Sequence, residues 1–425
     1  MRNSSNLFGR IDTTALCLYL FLLFFGWMNI YATVNAEIIG FAWDWKNEAG
    51  RQLIFIGLAG IIIFFILLSD ARIYEVISIP IYVITILLLI CVLIFGVEVG
   101  GNKSWLELGE LRVQPSEFVK LGSIMILARV LSVREVDLKK WKYRWLPFFT
   151  IFLPIILIIL QPDIGSAIVF VSFIFVLYRE GLPGYFIYTG IGTIIVSILA
   201  LAFNTITVLV IIVFFSFFAF LLNRSQKRIN FREFIRHPIM LFSSMAIAWA
   251  QIVNIIFDQL LRPHQQIRIQ LLLGKLDDTS SIGYQTAQSL IAIGSGGLMG
   301  KGYMKGTQTK LNFVPEQTTD YIFCTVGEEW GFLGSVIVLS CFSLLIGRII
   351  ILADRQKDAF ARIFGYGIGS ILLVHFIINI GMTLAVIPVI GIPLPFFSYG
   401  GSSLLAFTIM LFIFLRMDSH SWESL

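Results

Sequence analysis

Between Asp258 and Asp320 the chain gathers basic residues, the adjacent carboxylates Asp277 and Asp278, and a run of glycines. The rest of the sequence is strongly apolar, so any chemistry is expected here; a loop of this length usually carries function or structure of its own. Its stretch from Ser295 to Gly302, SGGLMGKG, invites comparison with a phosphate-binding P-loop, in which Gly is followed by four residues and then Gly-Lys-Ser/Thr. The match fails at both ends. Ser295 holds the first glycine position and Gly302 the hydroxyl position, and the glycines read instead as tight turns against a membrane surface.

Three further polar segments interrupt the apolar background. In GGNKSWLELGELRVQPSEFVK, Glu117 and Lys120 stand three apart, so on a helix they share a face and form a pair at the membrane edge. The bland alternative is a surface ion pair or an interfacial lysine anchor. In QPDIGSA, Asp163 follows a proline between two apolar runs and is placed to cap the next helix. From Asn379 to Ser403, three prolines and the run SYGGSS exclude one continuous span, which predicts a broken helix followed by a loop or re-entrant turn lining a cavity. Cys17, Cys91, Cys324 and Cys341 all lie in apolar runs without metal-like spacing and read as packing residues. The four histidines, including His375, make no ligand pair on a helix face, so no zinc site is supported.

The elements that must position these residues are membrane helices. The 425 residues are 57% hydrophobic and only 13% charged, against about 25% in soluble domains, and no cleavable signal peptide is evident. The mean hydropathy of +0.87 agrees with that class. Runs long enough to span recur near 13–34, 52–69, 76–97, 115–132, 146–160, 164–178, 184–203, 206–222, 238–257, 321–347, 361–386 and 399–416. The expected fold is therefore an all-α polytopic bundle of twelve spans, a single integral membrane domain over 1–425. Most of the 31 basic residues fall in alternate loops, which places both termini in the cytoplasm and the 258–320 loop outside. Basic runs such as Arg134 to Arg144 are topology determinants at a lipid surface rather than a nucleic-acid site.

Five ordered stretches give the chain a family resemblance: WLELGELRVQPSEFVKL, QPDIGSA, GYQTAQSLIAIGSGGLMGKG, PEQTTDYIF and IPVIGIPLPFFSYGGSS. With these it resembles the SEDS proteins of bacterial shape, elongation, division and sporulation, and KGTQTKLNFVPEQTTDYIF looks more like the RodA branch than the FtsW branch. The resemblance implies a peptidoglycan glycosyltransferase of the bacterial inner membrane that polymerises lipid II, a disaccharide-peptide on undecaprenyl pyrophosphate. It implies a catalytic carboxylate six residues before Tyr284, at Asp278, with Asp277 adjacent in a register shifted by one. It also carries over Glu117, Lys120 and Arg268, together with Glu316 and Asp320, as substrate-binding positions. A class B penicillin-binding protein, a transpeptidase, is the expected partner. The family core has about ten spans, so the surplus pair is placed within 184–257. Ser104 stands before Trp105 where relatives often have Arg, which moves that phosphate contact to Lys103 or removes it, and Gln266 stands where relatives often carry a basic residue.

The chemistry can be argued beside the resemblance. A sugar hydroxyl is a weak nucleophile, so a positioned carboxylate must take its proton in the transition state. Pyrophosphate leaves as a stable anion, so no second carboxyl is needed to protonate it, in contrast to glycosidases. The leaving group needs positive charge, from Lys120, Arg268, Arg112 or a divalent cation (Mg or Mn) held by acidic residues. A single displacement inverts the anomeric centre. Two other classes remain: a lipid-linked precursor flippase, which would show paired repeats and charge near the midplane, and a non-enzymatic scaffold, which would need none of the loop carboxylates.

Overall fold

A computed structural model describes residues 11–34, 47–99, 102–109, 111–133, 136–222, 238–261, 263–275, 281–311 and 313–421. Asp277 and Asp278 lie outside these residues, as does the whole basic cluster from Asn223 to Arg236. Each of the twelve predicted apolar segments is helical. They form α1 (Thr13–Val34), α2 (Glu48–Leu68), the short α3 (Ile73–Val76), α4 (Ser78–Phe95), α5 (Pro115–Ser132), α6 (Trp145–Leu160), α7 (Ile164–Val169) and α8 (Phe173–Arg179). Then follow α9 (Tyr185–Ala202), α10 (Thr205–Leu222) and α11 (Pro238–Ile255). The expected long loop is itself largely helical, with α12 (Pro263–Leu272), α13 (Ser281–Ser295) and α14 (Thr307–Lys310). The chain closes with α15 (Ile322–Asp354), α16 (Ala359–Thr383) and α17 (Gly401–Ser421).

Among the described residues, seven helices are long and apolar enough to cross a membrane, and α6, the α7–α8 stretch and part of α10 are shorter apolar helices. The segment 115–132 is less apolar than those seven because it carries Glu117, Lys120 and Arg129. Its charges are tolerated because α5 is central: it packs on α4, α6, α16 and α17, and 14 of its 18 residues are buried. The outer helices show the opposite pattern, with Phe64, Phe65, Ile84 and Phe95 exposed on α2 and α4 as apolar solvent would require. A three-stranded antiparallel sheet, absent from the sequence reading, joins α4 to α5: β1 (Val97–Val99), β2 (Asn102–Leu108) and β3 (Leu111–Val113), in that order.

The chain divides into two compact units, residues 1–182 with 284–425, and residues 183–283. The second unit contains α9, α10, α11 and α12, with a core of Ala200, Val208, Ile212, Ala250 and Val253. Within it, Trp249 Nε1 donates to Ser197 Oγ at 3.0 Å, and the Lys275 ammonium reaches the carbonyl of Leu201 at 2.6 Å. A π-turn over Ile256–Leu260 ends α11, and Gln266 Nε2 donates to the carbonyls of Phe257 (2.7 Å) and Leu261 (3.2 Å).

In the first unit α15 is one apolar run in sequence, yet it breaks at Gly331, where φ is 64° and ψ −156°. The interrupted ladder is completed from outside the helix. Phe332 N donates to Gly297 O (2.9 Å) and Leu333 N to Leu298 O (3.1 Å), while Lys301 N and Gly302 N donate to Glu328 O (3.0 Å) and Glu329 O (2.9 Å). The glycines of SGGLMGKG therefore make turns, with positive φ at Gly297, Gly300 and Gly302, but those turns dock backbone-to-backbone against α15. At Gly300, with φ at 78°, a Cβ would collide with the Glu329 carbonyl, so the close approach requires glycine.

The four cysteines are free. Cys324 is buried, while Cys17 and Cys91 lie on exposed helix faces rather than in packing positions.

Candidate functional site

Four of the five sequence motifs meet at one end of the first unit. Pro115 starts α5 and exposes no orphan amide there, so the preceding Gln114 is left to connect outward. Its N–H donates to Ser402 Oγ at 3.2 Å, and its side-chain amide donates to Asp163 Oδ2 at 3.0 Å. Asp163 caps α7 as its position predicted, accepting from Ser166 N at 3.0 Å and from Ser166 Oγ at 2.8 Å. Thus QPSEFVK, QPDIGSA and SYGGSS are tied by side chains rather than by sequence neighbourhood. The PEQTTD turn joins them through Tyr399 N, which donates to Thr318 O at 2.8 Å, and through Asn379, whose amide donates to Asp320 O (2.9 Å) and Ile392 O (2.8 Å).

Glu117 and Lys120 do pair, with Lys120 Nζ to Glu117 Oε1 at 2.7 Å, and the pair is buried rather than a surface ion pair. Their side chains are 3% and 1% exposed, because α4, α6, α16 and α17 surround α5. A second acceptor completes the arrangement: His375 Nε2 lies 3.0 Å from Lys120 Nζ, and the imidazole Nδ1 lies 3.1 Å from Pro393 O. The ammonium also sits 5.0 Å from the centre of the Phe407 ring. Glu117 Oε2 is buried without a hydrogen-bond partner among the described residues. Beside this cluster Phe396 holds φ at 65°, a conformation a bulky residue adopts only when its surroundings force it.

The remaining predicted residues are distributed differently. Arg112 is exposed and pairs with Glu107 at 2.9 Å across β2 and β3. Glu316 is exposed and accepts from the Thr319 hydroxyl at 2.9 Å, while Asp320 is half-buried with its carbonyl held by Asn379. Arg268 lies on α12 in the second unit, half-buried. Lys103 Nζ reaches the carbonyls of Leu93 and Ile94, both at 3.4 Å, at the end of α4, and Ser104 is buried. Among the described residues no group of three His, Cys, Asp or Glu side chains converges as a metal site would need.

One buried carboxylate that organises a loop was not singled out in the sequence. Glu328 is fully buried and accepts from the backbone amides of Thr307 (2.7 Å), Gln308 (2.9 Å) and Thr309 (2.9 Å) and from Lys301 Nζ (2.7 Å). It thereby fixes the loop that precedes PEQTTD, and Lys301 is held by Glu328 rather than offered to a phosphate. The only available hint was an ionisable pair, Glu328–Glu329, within an apolar run.

The FtsW/RodA/SpoVE family model, described as a cell cycle protein, matches residues 13–229 and 185–423. The peptidoglycan glycosyltransferase MrdB of Escherichia coli K12 is 32% identical over 412 residues, covering 97% of this chain and 94% of that protein. Stage V sporulation protein E of Bacillus subtilis is 32% identical over 376 residues, 88% of this chain and 87% of its own. A chain in a solved peptidoglycan synthase complex, concerned with the structural coordination of polymerization and crosslinking, matches with a TM-score of 0.69 and 25% identity, covering 97% of this chain and 99% of that one. The rod shape determining protein RodA of Thermus thermophilus matches with a TM-score of 0.60, again at 25% identity and 96% of each chain.

Proposed function

The chain belongs to the FtsW/RodA/SpoVE family, and from that premise we propose how it works as a peptidoglycan glycosyltransferase of the bacterial cytoplasmic membrane. It polymerises lipid II into glycan strands for cell-wall elongation. The observation that carries the reading of its site is the meeting of four motifs at the end of the first unit where α5 carries the buried Glu117–Lys120 pair.

Asp278 takes the proton of the acceptor sugar hydroxyl as its oxygen bonds the donor's anomeric carbon, and the bond from that carbon to undecaprenyl pyrophosphate breaks. One displacement inverts the centre, and no covalent glycosyl-enzyme forms. Lys120 is already neutralised by Glu117, so it offers the leaving pyrophosphate a directed N–H more than net charge. Further positive charge comes from Arg268 and from Arg112, whose guanidinium also pairs with Glu107. Glu316 and Asp320 bind the polar head groups of the substrates. A divalent cation, Mg or Mn, would be held by pyrophosphate oxygens with Asp277 or Asp278; the described residues supply no cage of their own, and no step here runs through it.

Both termini lie in the cytoplasm, at the end rich in Arg348, Arg355 and Arg362, and the site lies at the outer edge, where lipid tails stay in the bilayer while heads react. The bundle has ten core spans, and the surplus pair lies within 184–257. A class B penicillin-binding protein crosslinks the product strand. The test is polymerisation of labelled lipid II by the purified protein, wild type beside Asp278→Asn, with and without that transpeptidase. Strands from wild type alone support the base assignment; strands from both variants move the base to Asp277 or abandon a carboxylate in this loop.

A further inference from the structure

α16 presents His375 and Asn379 one turn apart on the same face. They grip consecutive carbonyls of the proline-rich loop: Asn379 Nδ2 donates to Ile392 O at 2.8 Å, and His375 Nδ1 lies 3.1 Å from Pro393 O. A carbonyl accepts only, so Nδ1 carries a proton and donates it. On the far side of the ring, Nε2 lies 3.0 Å from an ammonium, which donates only, so Nε2 must be an acceptor. The imidazole is thereby fixed as one neutral tautomer. Its edge stands against Phe407, with ring centres 4.9 Å apart, and Lys120 lies over that same phenyl ring. His375 is 1% exposed, so water does not substitute for either bond.

We infer that His375 is a positioning residue for glycosyl transfer, holding the Lys120 ammonium at a fixed distance from the Pro393 loop so that its one remaining N–H points at the substrate's phosphate oxygens. Glu117 alone would hold Lys120 by a single bond to Oε1, about which the flexible lysine stem can swing. The second acceptor removes that freedom, and it comes from a helix 255 residues away in sequence. The link also runs in the other direction. The carbonyls of Ile392 and Pro393 are met by side chains of α16, and His375 thereby joins the loop's position to the orientation of the ion pair.

This role rests on the reading of Lys120 as part of the substrate site, and the experiment separates the two. Lipid II polymerisation is measured at varied substrate with the transpeptidase present, for wild type, His375→Phe, His375→Gln and Lys120→Met, each checked for monodispersity and melting temperature in detergent. Phe fills the space without an acceptor, whereas Gln offers an amide that donates to Pro393 O and a carbonyl that accepts from Lys120. The expected result is a fall in kcat of at least about tenfold for His375→Phe, the scale of one hydrogen bond to a charged group, with KM changed by less than about threefold. His375→Gln recovers most of that rate. If folded His375→Phe turns over like wild type, or if His375→Gln is as slow as His375→Phe, His375 is not a positioning residue while Lys120 stands. If Lys120→Met itself polymerises normally, the reading of Lys120 falls and this role falls with it.

Discussion

The two ends of the first unit handle charge in opposite ways. At one end, helix termini are closed by ion pairs between helices: Asp12 before α1 with Arg348 of α15 (2.6 Å), Arg179 of α8 with Asp354 (2.9 Å), Arg362 of α16 with Glu180 (3.0 Å), and Asp418 of α17 with both Arg355 and Gln356. At the other end charge is sunk further in, and one carboxylate oxygen of Glu117 is left unmatched among the described residues. A buried polar atom without a partner costs about 1–3 kcal/mol, so a bundle selected only for stability would not keep it. The first end behaves as a clasp that fixes helix ends, whereas the second keeps a buried carboxylate oxygen open.

Substitutions can break or sharpen this contrast, the largest effect being expected for the proposed base. Asp278→Asn should lower polymerisation by about 10²–10⁴-fold, the usual contribution of a positioned base, measured by gel analysis of glycan strands. Glu117→Gln should cost about 3–5 kcal/mol in detergent melting, because it strands the Lys120 charge in the interior. Adding Lys120→Met to Glu117→Gln should restore most of that stability without restoring polymerisation; recovery of both would make the pair purely structural. Gly300→Ala should lose about 1–3 kcal/mol through overpacking and its positive φ, read by the same melts. Asp418→Asn at the clasp should cost about 1–2 kcal/mol yet leave polymerisation per folded molecule unchanged, and a tenfold slower rate there would erase the distinction between the ends. Arg362→Ala should shift stability by no more than about 1 kcal/mol, since that pair is partly open to solvent.

The helices were legible because apolar runs of span length have few other solutions in a bilayer. Asp163 was legible because a cap is a local event, three residues from the amide it satisfies. The Glu117–Lys120 pair was legible for the same reason, but its depth was not. An i, i+3 spacing reports a shared face and says nothing about what covers it; burial here comes from α16 and α17, some 250 to 300 residues away. His375 and Glu328 were missed as partners because their bonds close over 255 and about 20 residues respectively, with no local pattern to mark them. The Gly331 break was hidden because a single glycine in an apolar run reads as a tolerated interior residue, and only the docking of 297–302 makes the irregular turn favourable. The small sheet between α4 and α5 was missed because its strands run three to seven residues, too short for alternation to stand out.

The break in α15 has a consequence for how the protein is made. Residues 297–302 leave the ribosome before residues 328–333, so the segment that supplies the missing hydrogen bonds already exists when the helix enters the membrane. Without it, four backbone groups around Gly331 would meet the bilayer unsatisfied. The glycine-rich segment therefore supplies, from earlier in the chain, the bonds that let an irregular turn persist inside the helix that follows it.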